Sequence, residues 1–374
     1  MKRKLAIIGA GIIQNPLILK AKEMGIETHG FSWAKDVWSI QDSFSDYHYP
    51  VSIVRKEDIL DICKEIQIDG VTSIANDGCV PIVSFIAQEM GLIGNNYEDS
   101  LVATNKYLMC QAFVKNGVNC PRFTIVDENM DLSDFEYPLI VKPTDRSGSI
   151  GVIKVETEKD LAKAIFRAQE LSFTKQAIIE EYITGVEVSV ETISWNGVHY
   201  NLIISDKVTT GAPYFVEIAH HEPSDLNPEI QEKVKAEARK ALTALNVNYG
   251  ASHTEIKITE TGEIYLIEVN VRLGGDFIHE LVRLSTGFDF LKGVIDVALN
   301  QFEKPVVTAH KYSGIYFLSK ETEWVKQIID NRENDLDIVT ADIYDNELRY
   351  IQSSNDRSGY FIYKSDRKRT WNNY

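Results

Sequence analysis

The run YLIEVNVRLGGD, residues 265–276, constrains the fold of this chain more than any other stretch. Its apolar half reads as a buried strand, yet Glu268, Asn270 and Arg272 follow at every second position and Gly274-Gly275 closes it. Side chains two apart on a strand share a face, so the three polar groups point one way if the strand persists to Arg272. The preceding run HTEIKI (253–258) carries Glu255. A hairpin turning symmetrically about Glu260-Thr261 sets residue 255 opposite 266, with Glu268 a diagonal neighbour of Glu255 about 7–8 Å away. Two carboxylates there repel unless positive charge lies between them. Mg2+ prefers oxygen ligands and commonly takes one or two carboxylates together with substrate phosphates. Asn270 adds a neutral oxygen, Arg272 can fork onto a carboxylate or phosphate, and the glycines let backbone approach a bound group closely. A glycosidase-type acid pair would use the same carboxylates but does not call for Asn and Arg. An ion-paired strand end is the plain structural alternative.

A chain of 374 residues exceeds one ordinary domain and predicts two or three compact units. Its formal net charge of −16 argues against a nucleic-acid or anionic-membrane surface. A polyanionic ligand therefore needs local lysines and a metal to reverse the field. Cys63, Cys79, Cys110 and Cys120 are scattered without a CxxC pair, which reads as reduced cytosolic thiols. The start MKRKLAIIGAGIIQNPLIL mimics a signal peptide, but Gln14, Asn15 and Pro16 interrupt it; a cytosolic strand–turn–helix is expected. No run of 18 apolar residues suggests a membrane span.

The segments LAIIGAG (5–11), PLILKAKEMG (16–25) and IETHGFSW (26–33) alternate strand and helix. With a further helix–strand–turn and a helix near 80–90, they predict a parallel α/β domain over 1–98. Residues 99–120 read as a linking helix pair, with Asp99 or Ser100 capping the first helix and Gly117 closing the second. From 121 the pattern turns α+β with antiparallel pairing. Strands fall at 138–143, 151–156, 177–183, 186–194 and 199–205, and a helix at 158–170. Helix 228–245, strands 253–258 and 263–269, and helices near 277–286 and 288–299 follow. The tail 301–374 is again α+β and ends in KSDRKRTWNNY, expected to fray. The fold class is thus a multidomain α/β and α+β protein: 1–98, a linker and central lobe over 99–185, a second lobe over 186–300, and an appended tail packing on that lobe.

Three other stretches bear on chemistry. Gly9-Ala-Gly11 invites a dinucleotide-binding reading, but Gln14 stands where a third glycine belongs. The nearest later acid, Asp36, also lies beyond the second strand, so the fingerprint fails. A tight turn, or a helix start holding a carboxylate or phosphate, remains. LIVKPTDRSGSIGV (139–152) delivers Lys142 at a strand end and then a loop whose backbone N–H groups can surround phosphates; it lacks the P-loop pattern, and an ordinary hairpin is the alternative. IIEEYITGVEVSVE (178–191) offers extended backbone to an adenine edge, with Glu187 just beyond suited to ribose hydroxyls. A surface hairpin with solvated acids is the alternative there.

In this order the pieces resemble the ATP-grasp superfamily. The likeness rests on TNK (104–106), the 139–152 loop, EEYITGVEVSVE, TEIKI with Glu255, and LIEVNVRLGGDFI. Within it the chain is most similar to the carboxylate–amine ligase branch that includes L-amino acid ligases, with VTTGAPYFVEIAHHEPSDL (208–226) similar to that branch's substrate loop. The resemblance implies a two-lobed ATP-grasp fold after the N-terminal domain. It also implies an ADP-forming ligase that activates a small carboxylate, an amino acid by class, as acyl-phosphate and joins it to an amine. Lys106 and Lys142 would contact ATP phosphates under a loop containing Ser147, Gly148, Ser149 and Gly151. Glu180 would meet the adenine amino group, Glu181 and Ile183 would contribute backbone, and Glu187 would hold the ribose. Glu255, Glu268 and Asn270 would ligate Mg2+, two ions in number with Mn2+ as a substitute, and Arg272 would bind the acyl-phosphate or substrate carboxylate. His220, His221 and His253 are candidates for proton handling or substrate contact, His253 first because alternation puts it on Glu255's face. Relatives often carry an arginine in the helix after Lys106, where Cys110 stands here. The resemblance further implies a cytoplasmic homodimer acting on small molecules, without nucleic acid or membrane. The alternatives are a thiol, carrier-protein, carbamoyl-phosphate-like or purine-intermediate acceptor, or a nucleotide-binding module without turnover.

Overall fold

A computed structural model describes residues 2–33 and 43–371; Asp36 and the last three residues lie outside that range. The first sheet is parallel, in the order β3-β2-β1-β4, from β1 (Lys4–Ile8), β2 (Glu27–Phe31), β3 (Tyr47–Tyr49) and β4 (Gly70–Thr72). Helices α1 (Asn15–Glu23), α2 (Lys56–Ile66) and α3 (Val80–Met90) accompany it. β1 is buried on both faces, as a parallel strand between layers must be, and this explains its unbroken apolar run.

The linking pair is α4 (Tyr97–Ala103) and α5 (Lys106–Lys115). The cap of α4 is Asn96, which accepts from the Asp99 N–H at 3.1 Å, and not Asp99 or Ser100. Asp99 and Glu98 instead occupy the first turn, where acids favour the helix dipole. Asn105 caps α5 by accepting from the N–H groups of Tyr107 and Leu108, and so sets Lys106 at the helix start.

A four-stranded antiparallel sheet follows, in the order β5-β8-β6-β7: β5 (Phe123–Ile125), β6 (Leu139–Pro143), β7 (Ile153–Val155) and β8 (Ala177–Glu181). Helix α6 (Glu158–Leu171) packs on it through Leu161, Ala164 and Ala168. The short β5 was not anticipated from the sequence.

The largest sheet has eight strands, β13-β12-β9-β10-β11-β14-β16-β15. These are β9 (Val186–Trp195), β10 (Val198–Thr209), β11 (Glu217–Glu222), β12 (Gly250–Ile258), β13 (Ile264–Asn270), β14 (Tyr312–Leu318), β15 (Ile338–Ile343) and β16 (Gly359–Ser365). Helix α7 (Pro228–Ala244) covers one face through Val234, Ala238, Ala241 and Leu242. Helices α8 (Ile278–Thr286) and α9 (Phe290–Ala298) bury against Ile193, Ala251, Ile315 and Ile362, in a cluster that also takes in Leu5, Ile7 and Leu17 of the first unit. Helix α10 (Trp324–Asp330) packs beside β14 and β16. Two expectations change. Much of the 208–226 stretch, read as a loop, is strand: β10 runs to Thr209, and β11 supplies the rung that joins the tail strands to the sheet. The strands of the tail, β14, β16 and β15, are the last three of this sheet.

The β12–β13 hairpin also differs from the sequence expectation. Ile258 pairs with Ile264, so the turn centres on Thr261, and a bulge follows. Ile256 faces Leu266 but Glu255 faces Glu268, leaving Ile267 as the extra residue. The bulge makes the two carboxylates direct partners instead of diagonal ones. β13 ends at Asn270, so Arg272 lies beyond the strand.

Candidate active site

One face of the large sheet carries a polar stripe in its middle. His253 and Glu255 on β12 lie opposite Glu191 and Ser189 on β9, with Asn270 and Glu268 on the other side. Glu255 and Glu268 are each drawn to a lysine: Lys207 Nζ is 3.1 Å from Glu255 Oε2, and Lys106 Nζ is 2.7 Å from Glu268 Oε1. Lys207, on β10, is buried and also meets Glu187 at 2.7 Å and Glu217 at 3.3 Å. Burial opposes its charge, but Glu187, Glu255 and Glu217 outweigh that and hold its pKa well above the usual lysine value. Burial likewise opposes the charge of Glu255; Lys207 and His253 reverse the balance and hold its carboxyl well below the usual range.

His253 Nδ1 is 2.8 Å from Glu191 Oε1, and its Nε2 is 3.5 Å from Glu255 Oε1. Burial alone would lower its pKa, but Glu191 above all raises it to about 10. Glu191 Oε1 also accepts from Ser189 Oγ at 2.9 Å, while its Oε2 is buried without a partner.

The small sheet contributes Lys142 from β6 and Glu180 from β8, paired at 2.7 Å and both buried. Ile140 is the cross-strand partner of Glu180, so Lys142 sits two residues along on the same face. Burial opposes the lysine charge, and Glu180 with Glu268 more than restores it. Lys106 ties the loop that follows β6: its N–H donates to the Thr144 carbonyl at 2.9 Å and its Nζ to the Arg146 carbonyl at 2.7 Å. Ser149 is left-handed at φ 57, between Gly148 at 63 and Gly151 at 79, so the backbone curls. Thr144 Oγ1 and Arg146 Nε are buried without partners beside this loop. Beyond β8, Ile183 is buried and its carbonyl accepts from Lys257 Nζ at 3.3 Å. Glu181 Oε2 accepts weakly from the Arg122 N–H at 3.4 Å. Gly185 lies against β12, where an added Cβ would meet the Ile258 carbonyl oxygen at 2.1 Å.

Arg272 forks onto Asp77 from the first unit, Nε to Oδ1 at 2.9 Å and Nη2 to Oδ2 at 3.0 Å. Burial raises the Asp77 pKa, and Arg272 with Lys106 pulls it below the usual range. Asn270, in the amide orientation that satisfies its neighbours, donates to Glu268 Oε1 at 3.2 Å and Asp77 Oδ1 at 3.0 Å. The structure therefore brings Lys106, Lys142, Glu180, Glu187, His253, Glu255, Glu268, Asn270 and Arg272 into one charged network. His220, the cross-strand partner of Lys207, lies 3.2 Å from Asp276, and His221, on the opposite face, meets the Tyr363 hydroxyl at 3.1 Å across Gly314.

Among the described residues no three His, Cys, Asp or Glu side chains converge as a metal site. The donor set is two facing carboxylates and an amide, each carboxylate neutralised by a lysine. Hard oxygens in this number fit Mg2+ or Mn2+ shared with phosphate, and an amide that turns over presents its oxygen in place of its nitrogen.

Asp77, Lys207, Glu191 and Glu217 join the network without a motif that marks them in the sequence. Lys207 had a faint signal: continuing β10 by two residues places it on the face of Ser205. Asp77 had none, because its partner lies 195 positions away.

Residues 135–280 match the ATP-grasp domain family, and the chain carries an ATP-grasp domain. It is similar to alanine–anticapsin ligase of Bacillus subtilis (strain 168), 28% identical over 292 residues, 68% of this chain and 61% of the relative. The chain thus spans about three-fifths of the length of that relative. It is similar to D-alanine–D-alanine ligase of Trichlorobacter lovleyi, 25% identical over 73% of this chain and 92% of the relative. Among solved structures, L-amino acid ligase from Bacillus licheniformis superposes with a TM-score of 0.81 at 22% identity, covering 98% of this chain and 94% of the other.

Proposed function

We propose that this protein is an ATP-dependent, ADP-forming ligase that activates a small carboxylate, an amino acid by class, and joins it to an amine. The observation that carries the reading is the network in which Lys106 meets Glu268, Lys142 meets Glu180, Lys207 meets Glu255 and Arg272 meets Asp77, at the junction of two lobes and the first unit. Each cation there is balanced by an acid, as in a site that exchanges internal partners for a charged ligand.

In this reading Lys106 and Lys142 receive the phosphates of ATP. The backbone around Ser147, Gly148, Ser149 and Gly151 closes over them, with the unpartnered Arg146 Nε and Thr144 Oγ1 as further donors. Glu180 and the backbone of Glu181 and Ile183 take the adenine, and Glu187 the ribose. Mg2+ held by Glu255, Glu268 and Asn270 supplies neutralisation of phosphate charge when bound. Arg272 orients the substrate carboxylate. A carboxylate oxygen attacks the γ-phosphorus as the bond to ADP breaks, and the amine then displaces phosphate from the acyl-phosphate as it loses a proton. Such transfer needs alignment and charge stabilisation more than covalent help from the protein. His253, between Glu191 at 2.8 Å and Glu255 at 3.5 Å, is placed to hold Glu255 in position and to face the reacting groups. Four free thiols agree with a cytoplasmic setting, and the homodimer rests on the family resemblance alone.

The test is ADP release from the purified chain with pooled amino acids, and mass spectrometry of the product. Wild type is expected to form an amide-linked product with stoichiometric ADP, and Glu268→Ala to lose about 100-fold or more in turnover with its circular dichroism unchanged. No acid-dependent ADP from any mixture, or full turnover by Glu268→Ala, would sink the proposal. A thioester or phosphoribosyl product would replace the amine by the other acceptor.

A further inference from the structure

The C-terminal segment, which sequence motifs leave without a role, reaches the site through one buried arginine. Arg357 precedes β16 and forks onto Asp276, Nη1 to Oδ1 at 2.6 Å and Nη2 to Oδ2 at 3.0 Å. Its Nε and Nη2 also donate to the Glu217 carbonyl at 3.2 and 2.8 Å, and its guanidinium lies 3.7 Å from the centre of the Phe317 ring. Asp276 Oδ2 is in turn 3.2 Å from His220 Nε2, while the other ring nitrogen of His220 is buried without a partner.

Asp276 and Phe277 follow Gly274-Gly275 directly, and both are left-handed, at φ 54 and 60. Two such residues in succession persist only where the surroundings over-determine them. Those surroundings belong to the tail: Arg357 grips Asp276, and Tyr360 of β16 packs on the Phe277 ring with centres 4.3 Å apart. The same segment borders the glycine loop, where a Cβ on Gly148 would lie 3.7 Å from Ser354 Oγ.

We infer that Arg357 is a positioning residue of the proposed ligase site. Gripping Asp276 sets the turn that follows Arg272 and fixes the His220 ring in one orientation. Holding the Glu217 carbonyl steadies one of the three acids around Lys207. Residues 353–357 thereby form part of the site, although Arg357 lies 81 positions beyond Asp276. The inference rests on the ligase reading for its catalytic consequence but not for its geometry.

The test uses Arg357→Gln, Arg357→Lys and the double variant Asp276→Asn/Arg357→Gln, which leaves no unpaired buried charge if the single glutamine variant does not fold. Three quantities are read: ATP affinity with Mg2+ but no acid, kcat and KM for acid and amine, and the hydrogen-bonded His220 Nε2–H signal in histidine-selective NMR, assigned with His220→Asn. The expected result is ATP affinity within about twofold of wild type, kcat/KM for the acid–amine pair lower by about 10–100-fold, partial recovery in Arg357→Lys, and loss of the imidazole N–H signal in both glutamine variants. Unchanged kcat/KM, or losses that run parallel in ATP affinity and turnover, would overturn the inference, as would an N–H signal that survives the double variant. If wild type itself shows no acid-dependent ADP release, the ligase reading fails and the imidazole signal alone decides the positioning role.

Discussion

Lys207 shows at the residue scale how the acids of the site are held together. One buried ammonium neutralises carboxylates from β9, β11 and β12. Removing one partner of a buried ionic cluster leaves uncompensated charge and costs about 3–5 kcal/mol. Lys207→Met is therefore expected to lose stability on that order in urea denaturation, and added Mg2+ to restore more of the midpoint than it adds to wild type. A midpoint unchanged from wild type would show that the three acids do not depend on the lysine. Glu222 is the opposite case, a buried acid with hydroxyls as its partners. Ser205 and Ser285 donate to its two oxygens at 2.7 and 2.8 Å, and burial pushes its pKa up to about 8. A folded-state pKa above the unfolded value means stability that is full below about pH 4.5 and lost as pH rises toward 8. Glu222→Gln removes this loss, so its urea midpoint should gain on wild type between pH 5 and pH 8. A difference constant across that range would contradict the assignment.

At the scale of elements, the start of α5 and the crossing from β8 to β9, which help deliver the lysines and acids, depend on local devices. The Asn105 cap starts α5 at Lys106. Asn105→Ala should cost about 1 kcal/mol and raise KM for ATP several-fold, because the start of α5 orients Lys106 toward Glu268. An unchanged KM beside a lowered melting temperature would confine the cap to stability. Gly185 allows β8 to pass into β9 against the Ile258 carbonyl. Gly185→Ala has no room for its methyl group without moving β9 from β12, and is expected to destabilise by more than about 1 kcal/mol, visible as a lower melting temperature; an unchanged one would mean the crossing yields freely. Helices and long strands were legible because their apolar spacing and punctuation are local: Val80–Met90, Glu158–Leu171 and Pro228–Ala244 fall within a residue or two of their expected spans. The bulge at Ile267 was not legible. Alternation continues through it on paper, and only the pairing with β12 reveals the extra residue.

At the scale of the whole molecule, the eight-stranded sheet joins the second lobe to the tail, and the cluster containing Leu5, Ile193, Ile295 and Ile362 joins both to the first unit. The proposed site lies where these bodies meet, so its ligand should stabilise the whole chain. ATP with Mg2+ at about 100 times its Kd should add about 2.7 kcal/mol of stability, read as a thermal shift. Chelation should abolish most of it, since Glu255 and Glu268 would then face the phosphates directly. A shift indifferent to chelator would remove the metal from the account.

By itself the sequence determined the alternation of strand and helix and the presence of a polar-faced strand at Glu268 and Asn270. Both follow from side-chain periodicity and turn chemistry, which act over a few residues. It also placed Lys142, Glu180 and Glu187 at strand ends, because apolar runs stop there. Tertiary structure alone decided who meets whom: Arg272 with Asp77, Lys207 with three acids, Arg357 with Asp276. Those partners lie far apart along the chain, and a charge in a sequence carries no mark of the distant charge that burial will require beside it.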